Sequence, residues 1–431
     1  MKLLSSLLIL VLPLFVSAQP FITLKSAIDT TLKNNFDIHI AANIVEISKI
    51  NNTAGMAGGL PNVSASVVDN ESAVDVYQKL NTGVEITKSN ATSNVLTSSL
   101  TAGILLFNGS RVIATRERLH DLQKQSELQL NLQIQNSIAS VMSNYYDIVR
   151  QLEYLKIIQT LLDVSEKKLE IVSERKKVGM ANDADYLQAL IDVNTVTQNL
   201  TSQQLLIDQT KTELLQLMSI KSYYSYQVKD SIIVDKSIEL STIINYLQQN
   251  PQYLASEQQV RINEQVVKEV STLRYPTLKL NTGLNFNRSQ NGAGLTLVNQ
   301  NFGPYAGVSL QVPIYNGNIY KIQKETAIYN VDNAKLQLQS LFNALTAGAV
   351  KTYQAYSTSL QQLDSQAKSL DLSKKLINVV LQRFKVNQAT ILDVKAAQAS
   401  YESTGYQLVN LSYSAKIAEI ELKRLRFQLG N

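Results

Sequence analysis

The sequence contains no cysteine, no tryptophan and only 2 histidines. Without cysteine there is no disulfide and no thiol nucleophile, and structural zinc, which needs four nitrogen or sulfur ligands, is excluded as well. The sequence also has no paired nucleophile and base, no glycine-rich phosphate loop and no cluster of metal ligands. We therefore expect a protein that is not an enzyme and holds neither a cofactor nor a metal.

Charge is also scarce, at 17% of the 431 residues, against about 25% in typical globular domains. Uncharged Gln, Asn, Ser and Thr supply the polarity instead, as in the stretch 129–135. The net charge of +5 comes from Lys and Arg scattered among acidic residues, with no basic patch or tail. Nucleic acid is therefore not an expected partner.

The first 18 residues have the pattern of a secretory signal peptide. Lys2 supplies the positive charge, residues 3–16 form an apolar run too short to span a bilayer, and Val16-Ser17-Ala18 places small residues at the cleavage position. We therefore expect residues 1–18 to be removed on export.

The rest of the chain is an internal duplication. A constant offset of 208 residues relates Asn108 to Asn316, Tyr145 to Tyr353 and Asp185 to Asp393. The sequence thus predicts a first repeat over residues 19–218, a connector over 219–240 and a second repeat over 241–431.

Each repeat is predicted to contain a very long helix and a shorter helix that returns beside it. Between Gly109 and Gly283 the only glycine is Gly179, and no proline lies between Pro61 and Pro251 or after Pro313. Apolar residues recur there at spacings of three and four, as in a coiled-coil seam. We predict helices at 110–176, 182–217, 318–385 and 390–428, the first being about 100 Å long at ~1.5 Å per residue.

Four segments between the helices change to the period of two that is typical of strands. The clearest are predicted at 277–287 and 304–315, and their first-half equivalents at 62–70 and 94–107. Their lengths fit the ~9 to 11 residues that cross a bilayer obliquely. Tyr275, Phe302, Tyr305 and Tyr315 are predicted to form an aromatic girdle at the strand ends. The residues predicted to face lipid are Leu278, Leu280, Leu284, Phe286, Val308, Leu310 and Val312.

An ordinary half-buried antiparallel sheet would explain the same alternation. In a membrane, however, every backbone group must be paired, so a spanning sheet has to close into a barrel. Four strands are too few for closure. Two copies of the chain would give eight strands with a filled interior, whereas three would give twelve strands and a lumen.

The chain resembles the TolC-like outer-membrane efflux family over nearly its whole length after the signal. The resemblance rests on short patterns that occur in order in both halves. They are the opening segment 24–35, Leu60-Pro61 and Tyr275-Pro276 before strands, Asn108-Gly109 and Asn316-Gly317 after strands, and Arg175-x-x-Val178-Gly179 with Asp185, repeated as Arg383-Phe384-x-Val386 with Asp393.

The resemblance implies an α+β membrane protein that assembles as a homotrimer. Each chain would give four strands to a 12-stranded barrel in outer-membrane lipid, and its helices would form a tunnel through the periplasm. The implied function is a passive exit duct of a tripartite efflux pump or type I secretion system. The implied partners are a periplasmic adaptor and an inner-membrane pump of the RND or ABC type.

The resemblance also implies roles for the two helix turns. Asp185 and Asp393 would line a periplasmic aperture, although Asn182-x-x-Asp185 and Thr390-x-x-Asp393 are also helix-capping patterns. Arg175 and Arg383 would contact the adaptor or a latch, or would simply suit the negative ends of their helices. The remaining residues assigned to the tip turns and adaptor docking are Val178, Gly179, Val386 and Asn387.

A second function stays open at this point. A periplasmic or surface scaffold made of coiled coils, which tethers the envelope and conducts nothing, would carry the same long helices. Conductance across a bilayer would distinguish the two.

Overall fold

A computed structural model describes residues 21–429 of the chain. The predicted signal peptide, residues 1–18, lies outside these residues. The first half contains α1 (Leu24–Asn34), α2 (Phe36–Asn51), β1 (Asn62–Lys79), β2 (Glu85–Phe107), α3 (Arg111–Lys177) and α4 (Asp183–Leu217). The second half contains α5 (Leu240–Tyr246), α6 (Pro251–Ser271), β3 (Thr277–Asn291), β4 (Val298–Gln311), α7 (Ile319–Lys385) and α8 (Ile391–Leu425).

The long and returning helices have equal lengths in the two halves. Helices α3 and α7 each contain 67 residues, and α4 and α8 each contain 35. This equality is what a duplicated unit requires. The bounds of α3, α4 and α7 agree with the predicted ones within one residue, and α8 ends three residues before the predicted 428.

The strands differ more from their predicted bounds. Strands β1, β2 and β3 extend beyond the predicted segments, because their outer portions pair through the backbone although their side chains do not alternate in polarity. The prediction of 304–315 for the fourth strand was wrong at both ends. Strand β4 starts earlier, since Val298 pairs with Gln290, and it ends at Gln311, opposite the first residue of β3. Pro313 follows, and proline has no N–H to donate to a ladder.

The four strands form one antiparallel sheet in the order β1-β2-β3-β4. Residues directly opposite one another share a face, so the register assigns each side chain to one side of the sheet. One face carries rows of mostly apolar residues. Three of these rows are Val63, Ala102, Thr282 and Ala306; Ala65, Leu100, Leu284 and Pro304; and Val67, Ser98, Phe286 and Phe302.

On the opposite face, the three rows that alternate with these apolar rows along the strands are polar and uncharged. These rows are Asn62, Gly103, Asn281 and Gly307; Ser64, Thr101, Gly283 and Tyr305; and Ser66, Ser99, Asn285 and Gly303. Neighbouring side chains are hydrogen-bonded, with 2.9 Å between the hydroxyls of Ser64 and Thr101. The sheet therefore has two chemically different faces that run across all four strands.

The placement of Tyr305 in the predicted aromatic girdle was wrong. Tyr305 lies opposite Gly283 in the middle of β4, and therefore on the polar face. A Cβ atom added to Gly283 would lie 2.9 Å from Cε1 of Tyr305. The ring thus covers a glycine in the neighbouring strand, which has no side chain of its own to pack.

The structure contains two compact units, each built from segments of both halves. Within the described residues, the first comprises 21–39, 132–250 and 344–429, and the second comprises 40–131 and 251–343. The predicted division into repeats describes similarity along the sequence, whereas these units describe packing.

In the first unit, α3 supplies most of the core. One cluster includes Ile138, Tyr145 and Ile148 with Leu214 of α4 and Ile420 of α8. A second includes Leu161 and Val164 of α3, Ala189 of α4, Ile377 of α7 and Val394 of α8. Along α3 these core residues recur at the spacings of three and four predicted for a coiled-coil seam, which place them on one helix face.

The connector, 219–240, is held to α8 by a buried polar cluster. Lys416 donates to the carbonyl of Ile233 (2.8 Å) and to Glu419 (3.0 Å), and Glu419 accepts from the backbone N–H of Asp235 (3.0 Å). The apolar run Ile232-Ile233-Val234 would suit a strand, but these residues are irregular, and the carbonyl of Ile233 accepts from a lysine instead of pairing with a strand.

The second unit contains the sheet and, beside it in the chain, parts of α3, α6 and α7 that contact one another. Val260 of α6 packs with Val331 and Ala334 of α7, and Arg118 of α3 pairs with Glu269 of α6 at 2.7 Å.

Among residues 21–429, no helix has the length and hydropathy needed to span a membrane.

Two glycines inside helices provide a test of the packing of the first unit. A Cβ atom at Gly405 would lie 2.5 Å from Cδ1 of the buried Ile157, whereas one at Gly348 would meet nothing within 4 Å in the chain. We expect Gly405→Val to lower stability by about 1–3 kcal/mol through overpacking. The control Gly348→Val should be neutral or stabilise by up to about 0.5 kcal/mol. Thermal unfolding of both variants measures this, and equal melting temperatures would contradict the packing of α8 on α3.

Candidate functional site at two helix turns

The turn between α3 and α4 closes with a left-handed glycine. Gly179 has φ +77°, a conformation that favours residues without a Cβ atom. Its N–H donates to the carbonyl of Lys176 (3.0 Å), and the N–H of Met180 donates to the carbonyl of Arg175 (2.7 Å). These bonds satisfy carbonyls that the end of a helix leaves unpaired. Helix α4 then starts with Asn182, whose side chain accepts from the N–H of Asp185 at 2.7 Å.

The turn between α7 and α8 has the same hydrogen bonds 208 residues later. Asn387, at φ +62°, donates to the carbonyl of Phe384 (3.1 Å), and Gln388 donates to that of Arg383 (2.8 Å). Asparagine tolerates this conformation better than most residues with a side chain. The Oγ1 of Thr390 then accepts from the N–H of Asp393 at 3.2 Å. The two turns are structural copies of one another.

The two aspartates differ in their own hydrogen bonds. The carboxylate of Asp393 accepts from the N–H of Thr390 (2.7 Å) and from its hydroxyl (2.9 Å), which completes a capping box. These bonds, and the positive charge of Arg383, hold the pKa of Asp393 below its usual range. Asp393 is exposed and Asp185 is half-buried.

Capping is therefore a role of Asp393 within this chain, and both capping hydrogen bonds go to one oxygen of its carboxylate, Oδ2. Capping does not exclude an electrostatic role, because a carboxylate at a helix N-terminus keeps its charge.

The two arginines are not equivalent. Arg175 donates from Nη2 to the carbonyl of Phe384, and its guanidinium lies 4.6 Å from the centre of the Phe384 ring. It therefore joins the end of α3 to the end of α7. Arg383 is exposed, and its positive charge helps to lower the pKa of Asp393. Of the two arginines, Arg175 therefore both lies at the negative end of its helix and links that helix to a second one.

Several of the predicted residues come together around one cavity. The cavity has a volume of about 590 Å³ and is lined by Arg175, Asp185, Asn387 and Asp393, among others. The predicted residues Val178, Gly179, Arg383 and Val386 do not line it. Val178 and Val386 are exposed at 68% and 62%. Sequence reasoning missed Met180 and Leu392, which line the cavity and are also exposed.

A buried ion pair lies further along the same helices. Lys168 of α3 is fully buried and its Nζ lies 2.5 Å from Oδ2 of Asp192 of α4, which is 13% exposed. Gln188 also donates to Asp192 (2.8 Å), and Lys395 of α8 lies 3.7 Å from it. The amide of Gln398 of α8 donates to Ser165 of α3 at 2.8 Å. This network connects α3 to both returning helices.

The ion pair shifts the titration of Asp192. Burial alone would raise its pKa, but the hydrogen bonds from Lys168 and Gln188 and the charges of Lys168 and Lys395 outweigh burial and lower the pKa. One signal for this pair was missed, because Lys168 lies four residues from both Val164 and Val172, at the spacing that the apolar core residues of α3 follow. Nothing in the sequence shows that Asp192 is its partner.

No group of three or more His, Asp or Glu that could hold a metal ion occurs within residues 21–429.

Comparison with known proteins identifies the family of the chain. The model of the family described as "Outer membrane efflux protein" matches residues 27–219 and 243–426, which together are most of the sequence. The chain belongs to the outer membrane efflux protein family.

Known proteins support this membership. Outer membrane protein TolC of Escherichia coli K12 is 20% identical over 375 residues, covering 82% of this chain and 75% of TolC. The CmeC outer membrane channel of Campylobacter jejuni superposes with a TM-score of 0.76 at 18% identity, covering 94% of this chain and 86% of CmeC. A membrane protein from Pseudomonas aeruginosa has the same TM-score at 17% identity, covering 95% and 91%.

Membership of the outer membrane efflux protein family confirms the resemblance read from the sequence. It places the chain in the outer membrane and assigns it to efflux and not to catalysis. The two halves matched by the family model are separated by residues 220–242, which nearly coincide with the connector. The roles of the individual residues at the turns remain predictions.

The buried ion pair generates a stability prediction. Lys168→Met leaves the carboxylate of Asp192 without its closest partner, and we expect a loss of about 3 kcal/mol. The double variant Lys168→Met with Asp192→Leu should recover most of that loss, because no unpaired charge remains. Denaturant unfolding of both variants and the wild type measures this. A double variant as unstable as the single one would show that packing alone explains the effect.

The same pair makes stability depend on pH. The folded pKa of Asp192 is lowered from its ordinary value of 3.8, so its contribution is complete above pH 3.8 and is lost as pH falls through the folded pKa. We expect Asp192→Asn to be less stable than the wild type at neutral pH, with the difference shrinking below about pH 4. Melting temperatures of the two proteins from pH 7 to pH 3 measure this, and a constant difference would contradict it.

Proposed function

We propose that the chain assembles as a homotrimer that forms a passive conduit from the periplasm across the outer membrane, gated at the two helix turns. The observation that carries this proposal is the sheet, with one apolar and one polar face extending across all four strands. Family membership gives the setting, which is efflux through the outer membrane.

The apolar face fits lipid in both composition and length. From Leu278 to Phe286 the face spans a stretch comparable to the ~9 to 11 residues of a tilted membrane strand. The next row outward contains Asp69 and Arg288, which carry charge. Val308 and Leu310 are each 64% exposed, and Val312, beyond the end of β4, is 51% exposed. Leu280 and Leu284 are exposed as well, whereas Leu278 and Phe286 are half-buried.

The edges of the sheet argue for assembly. Strands β1 and β4 each lack a partner strand on their outer side among residues 21–429. In lipid such edges would leave backbone groups unpaired, so they have to pair with other copies of the chain. Three copies give twelve strands, which enclose a lumen, and the polar face would line it.

The two turns would form the gate. In a trimer, Asp185 and Asp393 would give six carboxylates around a narrow passage, which attract cations and repel one another. Their placement around one cavity in each chain supports this role. Capping by Asp393 is compatible with it.

The same turns would contact a periplasmic adaptor. Val178 and Val386 are apolar and exposed at equivalent positions, and Arg383 is an exposed cation beside one of them. Arg175, held by Phe384, would fix the turns relative to each other, with Gly179 and Asn387 setting their shape. The adaptor would link the conduit to an inner-membrane pump of the RND or ABC type, or to a type I secretion system. Family membership does not favour the non-conducting scaffold.

Conductance tests the gate. In a planar bilayer the wild type should show conductance steps that multivalent cations block from the periplasmic side. The double variant Asp185→Asn with Asp393→Asn keeps side-chain acceptors for the caps but removes the charges. We expect the cation concentration for half block to rise at least about tenfold. Asp183→Asn, in the same turn but paired with Lys176 at 2.6 Å, is the control and should change block little. Unchanged block in the double variant would exclude the aperture role.

A pair of neighbouring residues tests the lipid face. Arginine at Val308, on the apolar face of β4, should destabilise the membrane-inserted protein by about 2–4 kcal/mol. Arginine at Ser309, on the polar face, should be tolerated because water surrounds it. The yield of folded trimer in the outer membrane, measured by heat-modifiable migration on gels, compares them. Equal yields of Val308→Arg and Ser309→Arg would contradict the assignment of the two faces.

A further inference from the structure

A cavity of about 540 Å³ lies where β4 leads into α7. The end of α6 with its following turn forms one side, the segment 313–318 forms another, and the first turns of α7 complete it. All of these residues belong to the second compact unit. The cavity is distant in sequence from both helix turns and takes no part in the gate.

The lining of the cavity is rich in positive charge. Arg274, Lys321 and Lys324 line it, together with a single acidic residue, Glu325. Across residues 21–429, none of these three cations forms an ion pair within 4.0 Å. The guanidinium of Arg274 lies 5.3 Å from the centre of the Tyr275 ring. Three cations against one carboxylate favour an anionic ligand.

Two further features add hydrogen-bond donors and positive potential. The side-chain nitrogen of Asn316, which lines the cavity, is buried without a hydrogen-bond partner. Helix α7, 67 residues long, begins at Ile319 beside it, and the first turn of a helix presents free N–H groups and partial positive charge. Both suit a ligand that is rich in acceptor oxygens.

The position of the cavity relative to the apolar face indicates where the anion would come from. The last apolar row of the sheet on this side contains Leu278 and Leu310. Ile314 follows four residues after Leu310, lines the cavity and is 95% exposed, and Ile328 lines it as well. The charged groups therefore lie just beyond the hydrocarbon region, at the depth of lipid headgroups, with apolar side chains beside them.

The equivalent junction in the first half of the chain has fewer cations at the corresponding positions. The positions that correspond to Tyr320, Lys321 and Lys324 are Val112, Ile113 and Arg116, and Gly59 precedes Leu60-Pro61 as Arg274 precedes Tyr275-Pro276. A Cβ atom at Gly59 would lie 3.0 Å from Cγ1 of Val112, so the two residues pack closely there. Arg116, the counterpart of Lys324, is the one cation among these four positions, which makes it a matched control.

We propose that this cavity binds the phosphate of an anionic phospholipid in the periplasmic leaflet of the outer membrane, one per chain. Lys321, Lys324 and Arg274 hold the phosphate, and Ile314 and Ile328 contact the start of the acyl chains. The proposal rests on the outer-membrane location of the protein but not on conduction or gating. Its effect is to anchor the junction of sheet and helices at a fixed depth.

Native mass spectrometry of the full-length protein in neutral detergent tests the site. Phosphatidylglycerol is titrated against the wild type, the double variant Lys321→Gln with Lys324→Gln, and the control Arg116→Gln. Each lysine near a lipid phosphate contributes about 1 kcal/mol, so the double variant should bind about thirtyfold more weakly. The control should bind as the wild type does. Equal binding by the double variant and the wild type, or equal weakening in the control, would overturn the site.

Two further titrations identify the source of the anion. Inorganic phosphate at the same concentrations should bind far more weakly than phosphatidylglycerol, because it lacks the acyl contacts, and phosphatidylcholine should bind more weakly because its headgroup carries a compensating cation. Phosphate that binds as tightly as the lipid would overturn the lipid assignment, and phosphatidylcholine that binds equally would overturn the preference for an anion. Bilayer conductance of the double variant should equal that of the wild type, so loss of this site is distinguishable from failure of the conduit.

Discussion

The unpaired edges of a four-stranded sheet are the constraint on which the proposed assembly depends. Strands β1 and β4 leave one side open among the described residues, and the sheet has an apolar face with no element of its own unit covering Val308 or Leu310. In water, the unpaired backbone groups of the edges would be hydrated, but exposure of so large an apolar face would be unfavourable. In lipid, the apolar face would be favourable, but the backbone groups of the edges would lack hydrogen-bond partners. Pairing with further copies of the chain in lipid satisfies both requirements. The duplication that produced the two β-hairpins also produced the two long helices, α3 and α7.

The two helix turns show how a duplicated unit acquires different functions in its two copies. The backbone hydrogen bonds of the turns match bond for bond, so the shape of the turn is retained. The side chains have diverged, since Arg175 joins two helices whereas Arg383 is exposed, and Lys168 has Leu376 as its counterpart. The buried pair of Lys168 and Asp192 therefore stiffens one hairpin and not the other. A movement that opens the aperture would involve the two hairpins unequally.

Much of the fold was predictable because its signals are local. Helix ends follow from Gly179, Asn387 and the capping residues, and these act within a few residues of the sequence. The outer portions of β1 and β2 were not predictable, since they pair through backbone groups while their side chains follow no period. Tyr305 was wrongly placed at a strand end because β4 starts earlier than predicted, and that start is fixed by pairing with β3. At the site, the aspartates were found from the sequence, but the contact of Arg175 with Phe384 and the pairing of Lys168 with Asp192 join residues from different helices and carry no local signal.

The central claim is that one face of the sheet meets lipid and the other meets water. Because the chain has no cysteine, single cysteines can be placed at successive positions from Ala306 to Leu310 and labelled with nitroxide. In membranes, the even-numbered positions should be accessible to oxygen, which dissolves in lipid, and the odd-numbered positions to a water-soluble nickel complex, with a period of two. Equal accessibility of all positions to the nickel complex would contradict the account.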